Sequence, residues 1–470
     1  MKNKSILVLI ALCLSGLAAQ ASKTIKVACV GNSVTYGYGL ANREADCYPV
    51  QLQRMLGEGY EVAGFGHSGA TLLYKGHRPY VSQPEFRQAL DFKPDWVVIH
   101  LGLNDTDPRN WPDWKEEFIP NYRALIDSFR LVNPDARILV CRMTPIFDRH
   151  PRFQSGTRDW HAQIQQAIEQ VAEGAGAQLV DLYEPLHSRP DLFPDALHPN
   201  AEGARILART VYSALTGDYG GLQLPPVYSN GMVLPRDEPL LLEGKANARS
   251  RIRAVLSKNG KTIEKAETLS LDDGSWHVEL PKMAAGGPYK LTLTAESILV
   301  IDSLYFGDLW LASGQSNMEL RVDQCNTLDQ DLADARRLAG RLHLYNMPAR
   351  ARTDAVEWDD SVLAYTNQLR HMDFQGWKTA SPEVVRSFSA VAFNFGRVLC
   401  DSLPDVPIGI ICNAVGGSTT ESWIDRTTLE WEFPNILHDW RNGDYGQAWA
   451  RGRMTQNIAH ALDKQSTAYN

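Results

Sequence analysis

Ser33 stands where an apolar run of strand type, KVACVG (26–31), breaks into a glycine-loosened turn. A hydroxyl is a weak nucleophile until a base takes its proton and a third group orients that base. Ser33 therefore gains chemical meaning only with partners, and the chain offers them far away. FPDALHPN (193–200) sets Asp195 three residues before His198. In a helical turn that spacing puts both side chains on one face, where the carboxylate can hold the imidazole in one tautomer. Two glycine-bearing turns offer donors for a developing oxyanion. In GFGHSGAT (64–71) Gly69 lets a backbone N–H approach a ligand closely, and in HLGLNDT (100–106) Asn104 presents a side-chain amide. Ser33, Asp195 and His198, with donors from Ser33, Gly69 and Asn104, have the makings of acyl transfer from an ester. Taken singly, each piece has a plainer reading as a βα turn, a helix-capping Asp–His pair or a glycine turn.

Such groups must be brought to one place, and the surrounding pattern says how. From about residue 24 to 216, apolar strands (TIKVACVG, YEVAGFG, DWVVIHLG, ARILVCR, AQLVDL) alternate with amphipathic segments such as YPVQLQRMLG, FIPNYRALIDSFRLV and HAQIQQAIEQVAEGA. Strands that are apolar on both faces and separated by helices predict a parallel sheet covered on both sides. In such α/β sheets ligands sit at the carboxyl ends of the strands, which is where the serine and both glycine turns fall.

The rest of the chain sets the organisation. With 470 residues, two or three domains are expected; 44% apolar and 22% charged residues are ordinary for a folded protein. A net charge of −8 without a basic block argues against nucleic acid or an anionic membrane as the main partner. Lys2 and Lys4, the apolar stretch Ile6–Leu17 and Ala19-Gln20-Ala21 read as a signal peptide (1–21) cut after Ala21, so export to the periplasm or medium is expected. Its apolar stretch is too short to span a bilayer. The cysteines at 29, 47, 141, 325, 400 and 412 are scattered without metal-type spacing, so neither a zinc site nor a disulfide framework is expected. Residues 22–216 form the first α/β unit and 217–226, rich in glycine and proline, a linker. Short β-rich runs with turn signals at Asn259-Gly260 and Asp273-Gly274 make 227–300 a small β-sandwich, and from 301 an α/β pattern restarts.

GNSVTYG, GHSGAT, GLND and DALHP, in this order over nearly all of residues 24–210, resemble the four sequence blocks of the SGNH (GDSL-type) hydrolases. The resemblance implies a flavodoxin-like three-layer domain with Ser33 as nucleophile, His198 as general base and Asp195 orienting it. It also implies an oxyanion hole of the Ser33 N–H, the Gly69 N–H and the Asn104 side chain, with no metal or other cofactor. The sequence departs from the pattern at Asn32, where aspartate is usual, and at Gly64, where asparagine often stands.

Downstream, GDLWLASGQSNMEL and NAVGGSTTESW, with the opening GMVLPRDEPLLLEG, are similar to bacterial sialate O-acetylesterases over roughly residues 222–470. That similarity implies a second SGNH-like domain, with Ser316 as nucleophile and Gly417 and Gly416 lending oxyanion donors. The domain is expected to be partial, because none of His343, His371, His438 and His460 has an aspartate three residues before it. The similarity points to O-acetylated sialic acids. Acetylated xylan or pectin, broader carboxylic esters and non-catalytic glycan binding are the competing expectations. A substrate carboxylate would favour an arginine; among Arg78, Arg109 and Arg142 the expectation falls on Arg109, five residues after Asn104. Trp111 and Trp114 are candidates to stack on a sugar ring, with packing as the plainer reading. The oligomeric state is left open.

Overall fold

The structure is a computed structural model that describes residues 23–147, 150–151, 158–351 and 359–425, with scattered positions from 428 to 456. Residues 1–21, expected to be a signal peptide, and His438 and His460 lie outside the described residues.

Five parallel strands, β1 (Ile25–Gly31), β2 (Tyr60–Gly66), β3 (Trp96–His100), β4 (Arg137–Cys141) and β5 (Gln178–Val180), form one sheet in the order β2-β1-β3-β4-β5. The direction of winding reverses after β2. Because crossovers are right-handed, the helix Tyr48–Leu56 falls on one face and the helices Pro84–Asp91, Phe118–Val132 and Arg158–Gly174 on the other. The last helix of this unit, Ala201–Thr216, packs beside Tyr48–Leu56. Covered on both sides, β1 has no exposure from Val27 to Val30, which explains its unbroken apolar run. Ala201–Thr216 starts at Asn200, whose side chain accepts from the Gly203 N–H, and stops at Gly217 in the left-handed conformation (φ 74°).

Beyond it lie two further sheets. β7 (Leu240–Lys245) and β10 (Ser275–Leu280) pair with each other. Leu242, Trp276 and Val278 from this pair share a core with Ile252, Ala254, Leu291 and Leu293 from β8 (Arg251–Lys258) and β11 (Gly286–Thr294), which is sandwich packing. β8 turns into β9 (Lys261–Leu269) through Asn259 and Gly260, both at positive φ, as the Asn-Gly pair predicts.

The boundary expected between 300 and 301 falls inside one strand. β12 runs from Ile298 to Gly314; its first half pairs antiparallel with β11, while its second half pairs parallel with β15 (Ile408–Ala414). β6 (Val233–Pro235) joins β12 as well, and β13 (Leu342–Asn346) and β14 (Trp377–Thr379) extend the sheet past β15. The periodicity change near residue 300 is thus a change of neighbours along a continuous strand. No helix among the described residues is long and apolar enough to cross a membrane.

Candidate active site

After Gly31 the chain turns through Asn32, whose Oδ1 accepts the Val34 N–H at 3.0 Å and caps the short helix Ser33–Tyr36. The end of β2 lies directly on this turn. A Cβ on Gly66 would sit 2.7 Å from the Thr35 carbonyl carbon and 2.8 Å from the Asn32 oxygen, so only glycine permits the approach. Ser33 is thereby fixed at the carboxyl edge of the central strand.

His198 Nε2 lies 2.8 Å from Ser33 Oγ, and His198 Nδ1 lies 2.6 Å from Asp195 Oδ2. Asp195 Oδ1 accepts the backbone N–H groups of Leu197 (3.0 Å) and His198 (2.7 Å). With Nδ1–H donated to the carboxylate, Nε2 is left as the acceptor facing the hydroxyl. Partial burial works against the charge on Asp195, but the hydrogen bonds from the His198 side chain and backbone and from Leu197 outweigh it and hold the carboxyl below its ordinary range. The pair does not sit in a helical turn as its spacing predicts. Ala196 adopts φ 64°, and the backbone N–H groups fold onto the carboxylate in a tight turn instead. A non-glycine residue in that region costs about 1–2 kcal/mol, which the three N–H bonds to Asp195 offset. The Tyr38 ring stands 4.7 Å from the imidazole, centroid to centroid.

Donors gather at the same edge. Gly69 is left-handed (φ 80°), and neither its N–H nor that of Ser33 meets an acceptor among the described residues. Asn104 is buried and donates one amide hydrogen to the Ala70 carbonyl at 3.0 Å, leaving its other hydrogen for a ligand. Asp105 accepts the Leu72 and Leu73 N–H groups, each at 2.9 Å, and so bolts the loop after β3 onto the loop after β2. Full burial pushes the Asp105 carboxyl up to about 7 against these hydrogen bonds. The role of Asp105 was not read from the sequence, although its place beside Asn104 was the available signal.

The residues expected to contact substrate each have partners within the protein. Arg109 forks onto Asp107, with Nε at 2.8 Å from Oδ1 and Nη2 at 2.9 Å from Oδ2. Trp111 is buried in the core, edge-on to Phe118, with Nε1 donated to Gln163 at 2.7 Å; packing decides its place, and it offers no stacking face. Trp114 is capped by Lys75 Nζ, 4.6 Å from its ring. Arg142 pairs with Asp181 and Glu169.

The second serine follows β12 as Ser33 follows β1, beside a cavity of about 630 Å³ also lined by Glu319, Arg321, Gly416 and Gly417. Ser316 is exposed, and among the described residues its hydroxyl hydrogen-bonds only to Gln315 Oε1 at 3.3 Å and no histidine reaches it. The Gly416 N–H, expected as an oxyanion donor, goes to Glu319 Oε2 at 2.9 Å.

Residues 29–206 match the model of the GDSL-like Lipase/Acylhydrolase family, and the N-terminal half of the chain carries a domain of that family. The chain is 34% identical over 220 residues to an acetylxylan esterase of Xylanibacter ruminicola, covering 43% of this chain and 45% of the relative. It is 28% identical over 221 residues to the sialate O-acetylesterase of Homo sapiens, covering 45% of this chain and 40% of the relative. A crystal structure of a carbohydrate acetylesterase from Xanthomonas citri shares 30% identity, covering 45% of this chain and 44% of that one, with a TM-score of 0.36. The matches thus span less than half the length of these relatives.

Proposed function

We propose that the chain is a serine esterase that removes O-acetyl groups from carbohydrates at Ser33. The observation that carries this reading is the continuous hydrogen-bond chain from Asp195 through His198 to Ser33 Oγ. Ser33 Oγ attacks the acetyl carbonyl carbon as its proton moves to His198 Nε2. The carbonyl oxygen becomes an oxyanion facing the Ser33 N–H, the Gly69 N–H and the spare Asn104 hydrogen. The sugar oxygen then departs with the proton from Nε2, leaving acetyl on Ser33, and water repeats the sequence to release acetate. Asp195 stays ionised and balances the imidazolium at each step.

Among sugar esters we favour O-acetylated sialic acids, supported by likeness to proteins named sialate O-acetylesterases. Acetylated xylan is the second reading, favoured by the 34% identity to an acetylxylan esterase. We assign residues 1–21 as an export signal, 22–216 as the hydrolytic unit, 217–226 as linker and the strands from 227 into the first half of β12 as a β-sandwich module. The chain from the second half of β12 onward is assigned to a second SGNH-like region, supported by the strand–serine arrangement at β12 and Ser316. Turnover is assigned to Ser33 alone. Acetate release from O-acetylated sialic acid and from acetylated xylan separates the two substrate readings; release from neither, with 4-nitrophenyl acetate also untouched, would remove the esterase assignment.

A further inference from the structure

Three arginines follow the strand ends near the site, and two are already engaged by carboxylates: Arg109 by Asp107, and Arg142 by Asp181 and Glu169. Arg78 is different. It is exposed and has no ion pair among the described residues, and its one hydrogen bond runs from Nη1 to the Ser68 carbonyl at 2.8 Å. The next carboxylate along the chain, Glu85 in the helix Pro84–Asp91, is held by His67 Nδ1 at 2.9 Å. Of the five guanidinium N–H donors, four remain for a ligand.

Its position is built by the chain. The Thr71 N–H donates to the Arg78 carbonyl and the Tyr80 N–H to the Thr71 carbonyl, each at 2.9 Å, so the segment after β2 doubles back. This lays the guanidinium over Gly69, where an added Cβ would come within 2.9 Å of Nη1. Gly69 carries one of the free N–H donors assigned above to the oxyanion. A guanidinium with no ion pair among the described residues thus lies over one of the donors assigned to the oxyanion.

We propose that Arg78 selects substrates by binding a carboxylate of the acetylated sugar, making an acidic sugar ester the preferred substrate class. This rests on the esterase reading and adds the residue that would set its specificity. The planar fork matches a carboxylate with two parallel hydrogen bonds, which a neutral sugar ester cannot return. A cation beside the oxyanion also draws the developing charge, but that attraction acts on every ester alike. Selectivity is therefore the property that separates the two roles.

The test uses the full-length protein and a matched pair, O-acetylated sialic acid and its methyl ester, with 4-nitrophenyl acetate as a reference. The wild type is expected to favour the free acid by about 10-fold in kcat/KM, expressed mainly in KM and shrinking as salt is added. Arg78→Gln brings that ratio close to one, Arg78→Lys gives an intermediate ratio, and Arg109→Gln leaves it at the wild-type value. A wild-type ratio near one, or an Arg78→Gln variant that keeps the preference while both substrates slow equally, would overturn the assignment and leave the esterase standing. Absence of turnover on all three esters would overturn both.

Discussion

At the scale of single residues, the account depends on one proton path. Replacing Ser33 by alanine removes the nucleophile and should lower kcat on an acetyl ester by at least about 10⁴-fold, with the circular dichroism spectrum unchanged. Asn104→Ala deletes one oxyanion donor and should cost about 10²–10³ in kcat, read by steady-state kinetics. Asp195, held below the ordinary carboxylate range, stays ionised through mild acid. The contact of Ser33, His198 and Asp195 was legible because a hydroxyl at a strand end and an aspartate three residues before a histidine are distinctive in type and spacing. Proximity in sequence to Asn104 does not say which way a side chain turns: Arg109 pairs with Asp107, and Trp111 packs edge-on to Phe118.

At the scale of elements, the segments after β1, β2, β3 and β5 hold the site, and buried ionisable groups beside them tie stability to pH. Burial pushes His100 down to about 4, helped by the neighbouring His161. Burial also pushes His161 down to about 4, against its hydrogen bond to the Thr144 carbonyl. In the unfolded chain both titrate near 6.5, so their contribution is present above that pH and is lost as pH falls toward 4, on the order of 3 kcal/mol each. Asp105, pushed up to about 7, works in the opposite direction; its contribution is full in acid and is lost as pH rises through 7. Two histidines outweigh one aspartate, so urea midpoints should drop between pH 6.5 and 4. His161→Gln should flatten that drop. Asp105→Ala orphans the Leu72 and Leu73 N–H groups and should destabilise the fold by about 2–4 kcal/mol at neutral pH. The strands of the first sheet were readable to within a residue or two from apolar runs. The left-handed turn at Ala196 was not, because alanine carries no signal for positive φ.

At the scale of the whole molecule, Ser33, Gly69, Asn104, Asp195 and His198 all lie in the stretch whose buried cluster runs from Val27 to Leu215. A chain ending just after Gly217 should fold and keep hydrolysing 4-nitrophenyl acetate, whereas a cut between 300 and 301 divides β12 and should leave an insoluble or aggregating product. The helix stop at Gly217 could be read from the run of glycines that follows Thr216. The continuity of β12 could not, since a strand that changes partners midway looks in sequence like two strands.

Acetate released from an O-acetylated sugar by the wild type, Ser33→Ala and Ser316→Ala tests the central claim most directly. The account predicts release by the wild type and by Ser316→Ala, and none above background by Ser33→Ala. Sustained release by a folded Ser33→Ala variant would contradict it.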